Sequence, residues 1–145
     1  MQACTFFGHR ECYGLKRDPL LETIKDLIYQ GIDIFYVGNQ GNFDSMVYGC
    51  LKELKKIYPH ITICVVLAYL PSPKYSTGDM SHTMYPEGME ECPPQFAIER
   101  RNRWMIDHTQ WCICYITHTW GGAYKFAKQA KRKKLTMLNL GTIDI

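Results

Sequence analysis

Short apolar runs alternate with segments of helical period along this chain, and small polar residues stand where one pattern gives way to the other. A strand needs a continuous apolar run or a period of two, and a helix needs a stripe at spacings of three and four, so the alternation fixes the order of elements. Strands are predicted over residues 3–7, 33–37, 61–70, 110–116 and 135–140. The third is almost wholly apolar, as a strand covered on both faces is. The first helix opens at Asp18-Pro19, with Asp18 placed to cap the free amides and Pro19 suited to a first helical position. It carries Leu20, Leu21, Ile24, Leu27 and Ile28 up to Gly31. The second carries Phe43, Met46, Val47, Cys50, Leu51, Leu54 and Ile57 and stops near Tyr58-Pro59. A third spans 95–108 with Ala97, Ile98, Arg101, Trp104 and Met105 on one side. A fourth opens at Gly121-Gly122 with Ala123, Phe126, Ala127 and Ala130 inward.

Strands that alternate with helices return parallel to one another through right-handed crossovers. The expected fold is α/β, a Rossmann-like three-layer sandwich of about five mostly parallel strands with helices on both faces. With the first strand between the second and the fourth, the loops after these three strands meet at the switch point where such sheets bind ligands. Those loops are residues 8–10, 38–44 and 117–122.

A chain of 145 residues, 46% hydrophobic, suffices for one core, so residues 1–145 are read as a single domain. The formal charge of +3 is mild and concentrated in the basic run 125–134, which reads as a solvent face and a favourable helix end, so a nucleic-acid partner is not expected. Seven cysteines, an odd number lying mostly in apolar runs, read as buried thiols in a reducing compartment. The start lacks a basic segment followed by an apolar core, and no apolar run approaches the ~20 residues that cross a bilayer. A cytoplasmic protein without a membrane partner is expected. Residues 71–94 lack periodicity and carry Pro71, Pro73, Pro86, Pro93, Pro94 and several methionines and tyrosines, Tyr85 among them. Such a length of loop reads as a lid or as a mobile excursion.

The run Gly38-Asn39-Gln40-Gly41-Asn42 before a helix offers backbone amides and a positive dipole end to a phosphate or a ribose hydroxyl, or else is a tight turn that needs glycine. It is neither the dinucleotide fingerprint nor a P-loop. Asp44 either bonds ligand hydroxyls or is an acid suited to a first helical turn. His9 and Arg10 follow the first strand beyond Gly8, where arginine can hold phosphate and histidine is a candidate acid or base, unless this is an exposed turn. Arg101, on the apolar side of its helix, is the best phosphate candidate, whereas Arg100 and Arg103 read as solvated or paired with acids. Gly121 and Gly122 open a second helix after a strand and complete the candidate crevice with Thr119 and Trp120. No metal is expected, since Cys112 and Cys114 share a strand face without a second pair at zinc-like spacing. Nothing in the sequence brings His118 to Asp107 or His108.

Taken together, Thr5-Phe6-Phe7-Gly8-His9-Arg10, Gly38-Asn39-Gln40-Gly41-Asn42-Phe43-Asp44, Arg100-Arg101-Asn102-Arg103-Trp104-Met105 and Thr119-Trp120-Gly121-Gly122-Ala123 resemble the SLOG superfamily. That group includes YpsA-like proteins, DprA domains and the LOG phosphoribohydrolases. The resemblance implies a Rossmann-like fold, a homodimer and a pocket for nucleotides, sugar nucleotides or nucleotide-derived second messengers, with some relatives sensing ligands in antiphage signalling. It implies ligand-contacting glycines at Gly38, Gly41, Gly121 and Gly122, and an arginine at Arg101. LOG enzymes place a glutamate just beyond their second glycine loop, where it assists cleavage of an N-glycosidic bond. Here Gly121-Gly122 is followed by Ala123, Tyr124, Lys125, Phe126, Ala127 and Lys128, without an acid. The expectation is therefore a module that senses or sequesters a nucleotide-derived ligand, needing no cofactor, in antiphage signalling or its evasion. The alternative is a nucleotide N-glycosidase with Asp44 or Glu87 as its acid and Arg101 on the phosphate. DNA binding, as in DprA, has less support.

Overall fold

The computed structural model describes residues 2–70 and 82–145. Six strands form one parallel sheet: β1 (Gln2–Gly8), β2 (Ile32–Val37), β3 (Thr62–Val66), β4 (Thr83–Met84), β5 (Trp111–Tyr115) and β6 (Thr136–Asn139). Their spatial order is β4-β3-β2-β1-β5-β6, which puts β1 between β2 and β5. The four helices are α1 (Arg17–Tyr29), α2 (Gly41–Ile57), α3 (Ala97–Asp107) and α4 (Gly122–Arg132). The fold is the expected Rossmann-like three-layer sandwich.

Alternation along β1 separates the two cores. Cys4 and Phe6 face α1 and α2, where they join Leu20, Ile24, Leu27, Val47, Leu51 and Leu54. Phe7 faces the other way, onto Met105, Ile106, Phe126, Ala127 and Ala130 of α3 and α4. None of the four helices has a side-chain bond at its N-cap. A cap contributes about 1 kcal/mol, whereas each fully buried Leu, Ile or Phe contributes roughly 1.5–3 kcal/mol, so packing rather than capping decides where these helices form. Asp18 accordingly does not cap α1: the helix starts two residues earlier, with Lys16 at the N-cap and Asp18 in the first turn. Gly31, at φ +99°, turns the chain out of that helix into β2.

The third strand is shorter than its apolar run. Leu67 still donates its N–H to the Met84 carbonyl at 2.8 Å and packs in the main core, whereas Ala68 is buried against Met89 and Ala97, so its hydrophobicity reflects a satellite core rather than a strand. Tyr69 and Leu70 are exposed. Of the segment expected to be a lid, residues 71–81 lie outside the described residues. Its remainder holds the two-residue edge strand β4 and two short 3-10 turns, Met89–Glu91 and Pro94–Phe96. Met89 is buried there, so this part packs on the domain. Among the described residues, no helix is long and apolar enough to cross a membrane.

Candidate ligand-binding site

The register of the three central strands determines which loops meet. Gly8 of β1 stands beside Tyr115 of β5, so these two strands end level, and with Thr5 beside Tyr36 strand β2 ends about two residues short of them on the same edge of the sheet. A cavity of about 930 Å³ opens there, lined by the residues after β1, β2 and β5 and by one side of α3. It falls within the range of roughly 300–1,000 Å³ that holds a small ligand.

Gly8, His9, Arg10, Gly38, Gln40, Asp44, Arg101, Trp120, Gly121 and Gly122 all line this cavity. The other expected residues do not. Asn39 faces an adjoining cleft of about 410 Å³ with Ser45 and Tyr48. Gly41 lies under the Arg10 side chain at φ +90°, and the Asn42 N–H donates to the Arg10 carbonyl at 3.0 Å. Both therefore tie the first loop to the second. Thr119 is exposed outside the cavity, and Tyr85 packs against Ala68 and Met89. Glu87 lines a separate cleft of about 640 Å³ with Arg100 and Arg103, so it does not share a site with Asp44. Arg103 and Lys125 both pair with Glu99, at 2.7 and 3.2 Å.

One half of the cavity is charged. Arg101 is only 2% exposed. Its Nε donates to Asn102 Oδ1 at 2.7 Å and its Nη1 to the Val66 carbonyl at 3.0 Å. Among the described residues no carboxylate lies within ion-pair distance of it. Burial lowers its pKa, opposed by the field of Asp44, but a guanidinium stays charged. Gly38 provides the space: a Cβ there would stand 2.8 Å from Arg101 Nη1 and 2.9 Å from Asp44 Oδ2. Asp44 Oδ2 accepts the Gln40 N–H at 2.9 Å. Burial pushes the Asp44 carboxyl up to about 6, although the Gln40 N–H and then the fields of Arg101 and Arg10 pull it down. Arg10 reaches across the mouth, its Nη2 3.3 Å from Gln40 Oε1.

The other half is aromatic. The His9 N–H donates to the Tyr115 carbonyl at 3.3 Å, and its Nε2 accepts the Thr117 N–H at 3.0 Å. That bond sets the ring as a neutral acceptor on Nε2. Burial, and then His118 beside it, lower the His9 pKa below its ordinary value. His118 stacks on His9 at 3.6 Å between centroids and 13° between planes, and Trp120 stacks on His118 at 3.9 Å and 22°. Gly121, at φ +92°, turns the chain from this ladder into α4.

Sequence reasoning placed the loop 117–122 at the site without singling out Thr117 or His118, and it missed Asn102 and Tyr115 in this wall. His9 and His118 are far apart in sequence, yet each follows the end of one of two adjacent strands. Once β1 was set beside β5, that adjacency was the available sign. Among the described residues no group of three His, Cys, Asp or Glu side chains could hold a metal.

No protein-family model matches the chain, and no curated protein matches its sequence. Fold and cavity together define a class: a Rossmann-like domain with a mixed charged and aromatic crevice at the carboxyl ends of its central strands.

Proposed function

We propose that this SLOG-like domain binds a nucleotide-derived small ligand at the cavity, to sense or sequester it. The observation that carries the reading is Arg101, a buried guanidinium in a cavity wall with no carboxylate at ion-pair distance among the described residues. A buried charge without an ion-pair partner is costly, and an anion entering the cavity offsets that cost. Phosphate suits it by charge and by the fork geometry of arginine. The first turn of α4, at Gly121 and Gly122, adds a positive dipole end at the same cavity.

The test is calorimetric titration with nucleotides, sugar nucleotides and cyclic ADP-ribose, alongside a thermal-shift screen. At least one should bind, and Arg101→Met should weaken it about 30-fold or more, as loss of one partner of a buried charge pair does. Arg101→Lys, which keeps the charge but not the fork, should also weaken it. A panel without binders, or unchanged affinity in both variants, sinks the reading.

A hydrolytic reading has one observation in its favour. Asp44, with its carboxyl raised to about 6, is the one carboxyl among the sequence candidates that reaches this cavity, and an acid so poised can donate a proton near neutral pH. Mass spectrometry of a bound nucleotide after long incubation separates the two: intact ligand supports binding, and free base supports N-glycoside cleavage.

A further inference from the structure

The binding reading leaves the aromatic half of the cavity without a role, and its geometry is specific. Three rings, His9, His118 and Trp120, lie nearly parallel at van der Waals separation and climb from the buried end of β1 to the cavity mouth. The lowest rung is fixed, because His9 is held at its backbone N–H and at Nε2. The middle rung is held by its faces, since His118 Nδ1 is buried with no hydrogen-bond partner among the described residues. The top rung is Trp120, 68% exposed, with no ring partner other than His118 among the described residues. A large indole left open on a preordered stack, in the wall of a cavity, presents a π-face to whatever enters.

Resting on the binding reading above, we propose that Trp120 is the platform for the ligand's heterocyclic base, with the stack beneath it holding the indole in place. The ligand then lies across the cavity with its phosphate towards Arg101 and Arg10 and its base over Trp120. The segregation of side chains supports this direction. Arg10 bonds Gln40 in the loop before α2, and Asp44 and Arg101 belong to α2 and α3, whereas Lys125, the cation nearest in sequence to Trp120, is paired with Glu99. His9 bears no charge while it accepts the Thr117 N–H. An uncharged aromatic platform suits a neutral ring, and a purine gains more than a pyrimidine because it covers more of the indole.

The experiment uses the full chain and titrates the four ribonucleoside monophosphates and ADP-ribose against ribose 5-phosphate as the base-free probe, by calorimetry and by tryptophan fluorescence. A purine compound should bind about tenfold or more tighter than ribose 5-phosphate, the worth of one base stack. Trp120→Ala should abolish that advantage and the fluorescence change, while Trp120→Phe keeps most of it. Because Trp120 is exposed, the melting temperature of both variants should stay near that of the parent. Equal affinity for ribose 5-phosphate and the nucleotides, or an advantage that survives in Trp120→Ala, overturns the platform while the phosphate site stands. Failure of every probe, ribose 5-phosphate included, overturns the platform and counts equally against the binding reading.

Discussion

The two glycine loops that flank β1 make the same turn, from a parallel strand into a helix, and are built on opposite terms. In the loop before α2, glycine is required by crowding: Gly38 has a guanidinium and a carboxylate where its side chain would be, and Gly41 has Arg10 against it. In the loop before α4 the space is open. Nothing lies within 4 Å of where a Cβ on Gly122 would stand, and Gly121 needs glycine for its backbone angle rather than for room. The first loop is cross-tied, through Gln40 to Asp44 and through Asn42 to Arg10. The second is held by stacked rings. Similar sequence punctuation thus produces one rigid charged cradle and one open aromatic rim.

Gly38→Ala should break the contrast most sharply. The new methyl would force Arg101 off the Val66 carbonyl or Asp44 off the Gln40 N–H, costing about 1–3 kcal/mol in urea unfolding and weakening any ligand that depends on Arg101. An unchanged unfolding midpoint would mean that the cradle is looser than its contacts indicate.

Asp44→Asn tests the charge in that cradle. A carboxyl whose folded pKa of about 6 exceeds the ordinary 3.8 binds its proton more tightly in the folded state, so its ionisation opposes folding. The parent therefore loses stability as pH rises from about 4 to 6, by up to about 3 kcal/mol above that window. The asparagine variant should match the parent near pH 3.5 and exceed it by a margin approaching that figure at pH 7. A margin that does not change between the two pH values would show that the carboxyl is not the source.

The smallest effect belongs to the open loop. Gly122→Ala, at a first helical position with a negative φ and free space, should leave stability unchanged or raise it by about 0.4–1 kcal/mol, through a less flexible unfolded chain. A loss comparable to that of Gly38→Ala would show that the two loops are equally constrained.

The alternation of strands with helices and, with the first strand set between the second and fourth, the meeting of the three loops were legible because they follow from periodicity, glycine placement and the handedness of crossovers. The β4 strand was not, since two residues cannot display a period and their pairing is set by β3 alone. Ala68 misled for a related reason, because burial against Met89 and Ala97 produces the same apolar letter as a strand interior. In the site, Gly38 and Arg101 were visible as a glycine at a turn and an arginine in an apolar stripe. Their mutual contact was not, and neither was the stack of His9 on His118, since both depend on side-chain directions beyond the strand ends. Glu87 was drawn to the site by its chemistry, and the fold sets it on another cleft.

The central position of β1 has a consequence for the order in which the protein is made. One edge of β1 pairs with β2, about thirty residues downstream, but its other edge waits for β5, more than a hundred residues on. During synthesis, the strand that will carry His9 and Arg10 therefore keeps one edge open until β5 has been made. Only when β5 docks do His118 and Trp120 arrive beside His9, so the charged half of the crevice is assembled first and the aromatic half is completed last.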